Sequence, residues 1–426
     1  MKRISEKGHS ISTKRKIECP FEQLNYHQIM RSHLYLFGYI EKGNFEIRVG
    51  QYGDINVKEG TPVVFAESLI TDISNVNIQI PCYKAETQIG TLEINSAMIE
   101  KTKYLQCGIP ITGTNDCVFY CWAGICLPPR RDFGNQPMDL QLPKQFLIGH
   151  RGSGNNLVST EFMENSMPGF FNAQKNNVDV IEFDIQFSKD KIPVIFHNYF
   201  IQYTEERPEL GEPSNRDDDK YNYCISRFSA EQFISSGFET EWKCPRTTFH
   251  QIVTEIPLSL AFDVEMKYPS SPMYLNRVDF IERNEAIDIT FEEIFLYAND
   301  RRLFFSSFDP MMCVFLAQKQ QKWPVYQIVR KDESEDIRFF EIKMRGLSKI
   351  HKNTGVKGFV LDSNSVLKSL PNIVKDLVDM GYTVSTYGSP NNINEECRKQ
   401  LEMGVTGLCT DKAPIVRKVI DEFCQK

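Results

Sequence analysis

The sequence predicts an α/β protein in which a closed (β/α)8 barrel of the TIM type follows an all-β sandwich domain. Three observations carry that expectation. The chain has 426 residues, 41% of them hydrophobic, more than one typical core holds, so about two domains are expected. Residues 19–127 alternate apolar and polar side chains in short runs such as "NFEIRVG", "TPVVFAES", "VNIQIP" and "QIGTLEIN", broken by Gly, Asn and Lys turns, as antiparallel strands with one buried face do. From residue 145 onward come eight β-like runs: "QFLIGH", "DVIEFDIQF", "SLAFDVEMKY", "RLFFSSF", "PVYQIVR", "KGFVLDS", "YTVSTYG" and "TGLCTD". Most are separated by helix-patterned stretches, and that alternation predicts a parallel sheet closed into a barrel.

Taken in order, residues 1–18 form a basic tail without amphipathic pattern, expected to be disordered. The sandwich occupies 19–127, a proline-bearing linker 128–144, and the barrel 145–426. Its helices include "ENSMPGFFNAQKNN", "PMMCVFLAQKQQ", "VLKSLPNIVKDLVDMG" and "APIVRKVIDEFCQ". An open doubly wound sheet is the rival, but "HRGSGNNLVSTEFMENS" does not keep the G-x-G-x-x-G register of such a fold's first turn. One run breaks the alternation. "IPVIFHNY" follows "DVIEFDIQF" after only "SKDK", too short for a parallel crossover, so the two form an antiparallel hairpin. A turn centred on Lys189 and Asp190 sets Glu182 opposite His197 and Asp184 opposite Ile195.

Composition excludes several functions. A net charge of -7 and a pI near 5.7 leave no basic footprint for nucleic acid. No apolar run is long enough for a transmembrane helix, and the opening residues lack the apolar stretch of a secretory signal, so a cytosolic protein is expected. The 12 cysteines then read as free thiols in a reducing compartment. The dense group Cys117, Cys121 and Cys126 lacks a CxxC pair and reads as core packing rather than a zinc site. The sandwich is open between peripheral membrane contact and an intramolecular brace, and oligomeric state is not encoded.

The period of two puts Val180, Glu182 and Asp184 on one face of their strand, and Asp263, Glu265 and Lys267 on one face of theirs. Helices cover the outside of a barrel, so these charges point into its interior or mouth. Converging carboxylates repel, and a divalent cation with oxygen ligands, magnesium or calcium foremost, offsets that repulsion. The alternative is a buried salt-bridge net with Arg151 and Lys267. Of 7 histidines, His150 and His197 fall at strand ends beside this cluster, as a proton-transferring pair requires.

The stretches "GHRGSGNN", "ENSMPGFFNAQ", "DVIEFDIQFSKDKIPVIFHN", "FDVEMK", "FSSFDP" and "GVTGLCTDKAP" resemble the glycerophosphodiester phosphodiesterase family over residues 145–424. The "FSSFDP" block, the hairpin insert and the β-rich leader are most similar to the intracellular glycerophosphocholine phosphodiesterase branch, although no starch-binding domain is evident. The resemblance implies metal ligation by Glu182, Asp184 and Glu265, acid and base roles for His150 and His197, and a phosphate grip by Arg151 and Lys267. It also implies a supporting role for Glu164 and Asn165, for which a helix cap is the plain alternative. The reaction implied is cleavage of glycerophosphocholine to sn-glycerol 3-phosphate and choline, with the glycerol 2-hydroxyl attacking phosphorus and water opening the cyclic phosphate. No protein nucleophile is needed, so Ser153 and Cys409 are not covalent catalysts. Three departures from the family pattern stand out. Asn198 replaces an Asp, Asp263 replaces an Asn and would tighten metal binding or pair with Lys267, and Tyr387 replaces a Trp while still able to face a choline cation. Rival functions are lysophospholipid cleavage on the same barrel and a catalytically silent scaffold.

Overall fold

A computed structural model describes residues 124–426 apart from 134–135, 159–160, 218–219, 270–279, 299 and 426, and describes the backbone alone at 215–217, at 353 and in eight strands between Ser32 and Cys126. Those eight strands pair into two four-stranded antiparallel sheets. The face-to-face packing a sandwich requires, the basic tail, and the surroundings of Cys117 and Cys121 lie outside the described residues.

The barrel strands are β1 (Phe146–Gly149), β2 (Val180–Phe187), β3 (Ala261–Met266), β4 (Leu303–Ser307), β5 (Val325–Val329), β6 (Gly358–Asp362), β7 (Thr383–Tyr387) and β8 (Gly407–Thr410). Each pairs in parallel with the next, and β8 pairs with β1, so the sheet closes on itself. All eight expected runs are strands of this barrel. Around it lie α1 (Met167–Lys175), α2 (Ala230–Ser236), α3 (Phe249–Glu255), α4 (Arg283–Tyr297), α5 (Pro310–Lys319), α6 (Ile337–Thr354), α7 (Val366–Ser369), α8 (Ile373–Asp379), α9 (Asn394–Glu402) and α10 (Ala413–Cys424). The stretch "VLKSLPNIVKDLVDMG" yields two helices rather than one. Pro371 lacks an N–H and disfavours helical geometry at Leu370, which is where α7 ends.

Alternation along each strand separates two apolar layers. Phe146, Ile148, Val180, Ala261, Phe304, Tyr326, Ile328, Val360 and Cys409 fill the barrel. Their neighbours Leu147, Ile181, Phe262, Phe305, Phe359, Val384 and Leu408 face the helices. Each inward row, continued past the strand's C-terminal end, therefore lines the mouth. This is how charged residues of β2 and β3 reach one place.

The described residues of 128–144, expected as a linker, contain no helix or strand, and Phe133, Met138, Leu140 and Leu142 among them pack on the barrel. The Asn284 amide donates to Ile125 O at 2.8 Å and its Oδ1 accepts from Leu127 N at 2.7 Å, a two-way clamp at the start of α4. Phe133 is 7% exposed and meets Phe291 edge-on, with ring centroids 5.0 Å apart. Phe133→Ala leaves a cavity there and is expected to cost about 3 kcal/mol in urea denaturation.

Deep in the helical layer His351 is wholly buried, its Nε2 3.1 Å from Gln327 Oε1, and burial pushes its pKa down to about 3. In the unfolded chain the ring titrates near 6.5. The unfolded state therefore binds the proton first, so stability is complete above about pH 6.5 and falls as pH drops toward 3, by up to about 1.4 kcal/mol per pH unit. His351→Gln is expected to flatten this slope in denaturation curves at pH 7, 6 and 5.

Candidate active site

Parallel pairing of β2 with β3 sets Glu182 beside Asp263 and Asp184 beside Glu265. Glu182, Asp184 and Glu265 each place a carboxylate oxygen within 4.8 Å of the other two, and all three residues are buried. Burial raises the Glu182 pKa well above the usual carboxylate range, and the charges of Asp184 and Glu265 add to the effect. Glu265 is raised by burial against the opposing pull of Lys267. Asp184 moves the other way. Burial alone raises it, but Lys267, His197, Arg151 and the Asn165 amide together hold it below the carboxylate range.

Two oxygens are left over. Asp184 Oδ1 and Glu265 Oε1 are buried without an aligned hydrogen bond, although Lys267 Nζ stands 3.5 Å and 3.0 Å from them. A triangle of hard oxygen donors, with two acids driven toward protonation and two orphaned lone-pair sites, fits a divalent cation. The surrounding cations are already engaged by the acids. Lys267 pairs with Glu265 and Asp184, and Arg151 Nη1 donates to Glu164 Oε2 at 3.0 Å with its Nε 3.7 Å from Asp184 Oδ2. Arg151 adopts a left-handed φ of 47°, which turns its backbone N–H onto Glu182 Oε2 at 2.7 Å.

Asn165 donates to Asp184 Oδ2 at 2.9 Å, while Glu164 accepts from Arg151 and from Asn156 N. The cap of α1 is Ser166, whose hydroxyl accepts from Gly169 N at 3.3 Å, so neither residue serves as the helix cap.

His150 Nδ1 lies 2.7 Å from Asp411 Oδ1. Burial would raise Asp411, but its hydrogen bond and charge interaction with His150 outweigh that, helped by Asn392 and Asn155, and hold it at about 2. His197 Nδ1 lies 3.0 Å from Asn198 Oδ1. Burial pushes the His197 pKa down to about 3 despite the attraction of Asp184. The two rings thus have unlike partners, a carboxylate for one and a neutral amide for the other.

The hairpin is shifted by one residue from the expected register. Ile185 faces Ile195, Gln186 faces Val194 and Phe187 faces Pro193. The loop holds three residues rather than two. Lys191 takes a left-handed φ of 62°, and Ser188 N bonds Ile192 O at 3.1 Å. The chain leaves the sheet after Phe196, whose N–H donates to Asp184 O at 2.9 Å, so His197 arrives beside Asp184 rather than opposite Glu182.

Asp263 neither joins the triad nor pairs with Lys267. It sits one layer deeper, accepts from Ser306 Oγ at 2.6 Å, and burial raises it to about 8. Tyr387 closes the inward row of β7, meets Phe308 edge-on with centroids 6.2 Å apart, and has a hydroxyl buried without a hydrogen-bond partner. Sequence reasoning passed over Asp411, although an acid directly following the last barrel strand stands where barrel enzymes place functional groups. It also passed over Gln186, the next inward residue of β2 after Asp184.

Residues 150–414 match the glycerophosphoryl diester phosphodiesterase family. The Arabidopsis thaliana glycerophosphodiester phosphodiesterase GDPD2 is 26% identical over 302 residues, covering 65% of this chain and 78% of that one. The rat glycerophosphocholine phosphodiesterase GPCPD1 is 22% identical, covering 62% of this chain and 43% of its own length. A crystal structure from Silicibacter pomeroyi DSS-3 superposes at TM-score 0.50 with 16% identity, over 67% of this chain and 96% of that one, and shows the same fold. Because the matched segment starts at His150 and holds the acid triangle, both histidines and Asp411, the chain belongs to the glycerophosphoryl diester phosphodiesterase family.

Proposed function

We propose that the protein hydrolyses glycerophosphodiesters in the cytosol, with glycerophosphocholine as substrate and sn-glycerol 3-phosphate and choline as products. One observation carries this reading. Two histidines with unlike partners flank an acid triangle that also holds an arginine and a lysine. Glu182, Asp184 and Glu265 would hold a divalent cation, which when bound supplies charge neutralisation at the phosphoryl oxygens. Arg151 and Lys267 stand close enough to share that task.

His197 is the base. Asn198 Oδ1 accepts the Nδ1 proton, which leaves Nε2 free to take the proton of the attacking glycerol hydroxyl. His150 is the acid. Asp411 stabilises its imidazolium through Nδ1, and Nε2–H protonates the departing choline oxygen. In the second step the roles reverse as water opens the cyclic phosphate. Asp411→Asn keeps the shape but removes the charge behind His150, and is expected to lower kcat on the order of a hundredfold with KM little changed.

The unpartnered hydroxyl and ring of Tyr387 suit a substrate headgroup at the mouth. The free cysteines among the described residues, Cys313 and Cys409 within the core, fit a reducing compartment. Among the described residues no helix is long and apolar enough to cross a membrane. The test is choline release from glycerophosphocholine and from lysophosphatidylcholine, with and without chelator. Faster release from glycerophosphocholine, lost with chelator, is the expected result.

A further inference from the structure

We propose that Gln186 is a positioning residue for the catalytic base, holding the backbone of His197 from both sides. It occupies the inward row of β2 after Glu182 and Asp184 and is 6% exposed. Its amide nitrogen donates to Phe196 O at 2.6 Å and to Asn198 O at 2.7 Å. These are the carbonyls immediately before and after His197. An amide nitrogen carries two hydrogens in one plane at a fixed angle, so satisfying both carbonyls at once restricts the dihedrals between them.

This clamp sits where the sheet stops supporting the chain. Strand pairing ends at Ile195, and residues 197–199 lie outside any strand. The other backbone bonds nearby are Phe196 N to Asp184 O at 2.9 Å and Ile225 N to Tyr199 O at 3.1 Å. They fix the segment's ends, and Gln186 fixes its middle. The ring is then oriented by Asn198, whose own carbonyl Gln186 holds, so the base and its partner are fixed by one side chain. Neutrality is useful here, because a third acid on this row would add to the repulsion at Glu182 and Asp184.

The inference rests on His197 acting as the base. Its test is a double-mutant cycle on glycerol 3-phosphate release from glycerophosphocholine and glycerophosphoglycerol, using the full chain. Gln186→Met keeps the volume without the two donors, and is expected to lower kcat between about tenfold and a hundredfold with KM within about threefold. Combined with His197→Ala it should add nothing, because the residue it positions is gone. If Gln186→Met unfolds by thermal denaturation, Gln186→Leu, equally neutral and without donors, carries the same cycle, and unfolding of both variants would establish a purely structural role. A kcat within twofold of the parent, or losses that multiply in the double variant, overturns the proposal. A His197→Ala variant as active as the parent defeats the assignment of the base instead, independently of Gln186.

Discussion

Glu182→Gln is expected to lower kcat/KM on the order of a thousandfold, because the cation that would neutralise the phosphoryl oxygens would be held by two carboxylates in place of three. The same substitution has an opposite effect on the stripped protein. Burial and two neighbouring acids raise the Glu182 pKa, so at neutral pH its ionised form opposes folding. With chelator present, Glu182→Gln should melt at a higher temperature than the parent. With a saturating divalent cation the order should invert, since the parent gains ligand-linked stability that the variant cannot. Thermal denaturation of both proteins under both conditions checks the crossover. An identical ranking in the two conditions would mean that the acids form a plain salt-bridge net with Lys267 and Arg151.

His197→Ala is the second large effect, with kcat falling about a hundredfold to ten-thousandfold. In the proposed mechanism the neutral ring is what suits the residue to act as the base. With its pKa pushed down to about 3 by burial, and an amide rather than a carboxylate on Nδ1, it stays unprotonated across the neutral range. Asn198→Asp places a charge on Nδ1 and should raise the ring's pKa, moving the acidic limb of the kcat profile to higher pH. Initial rates between pH 3 and 8 for parent, His197→Ala and Asn198→Asp read both outcomes. A parent profile unchanged by Asn198→Asp would detach the ring from its neighbour.

Much of this site could be read from period and punctuation. The alternation in "DVIEFDIQF" and "LAFDVEMKY" placed Glu182, Asp184 and Glu265 on inward faces, and the parallel register brings them within 4.8 Å. The outward positions of these strands meet the apolar undersides of the helices, which leaves the inward row to the acids. The hairpin register was less legible because it depends on Lys191 adopting a left-handed φ, which non-glycine residues seldom do and no local pattern announces. Asp411 belongs to a loop without periodicity, and its meaning appears only when β8 closes beside β1 and sets the carboxylate against His150. Gln186 is uncharged, and its partners are backbone carbonyls that become adjacent only through the hairpin. In the small three-stranded sheet, Asn215–Asp217 pairs with the next strand, Lys220–Cys224, but Phe200–Tyr203 reaches that strand across the intervening one, beyond the reach of a short window.

The central claim is that acids of β2 and β3 form a cation site at the barrel mouth. Isothermal titration calorimetry of chelator-stripped protein with Mg2+, Ca2+ and Mn2+, parent beside Glu265→Gln, tests it most directly. The account predicts one cation bound per chain in the parent and binding weakened beyond detection in the variant. Equal binding by both proteins, or none by the parent with any of the three ions, would contradict it.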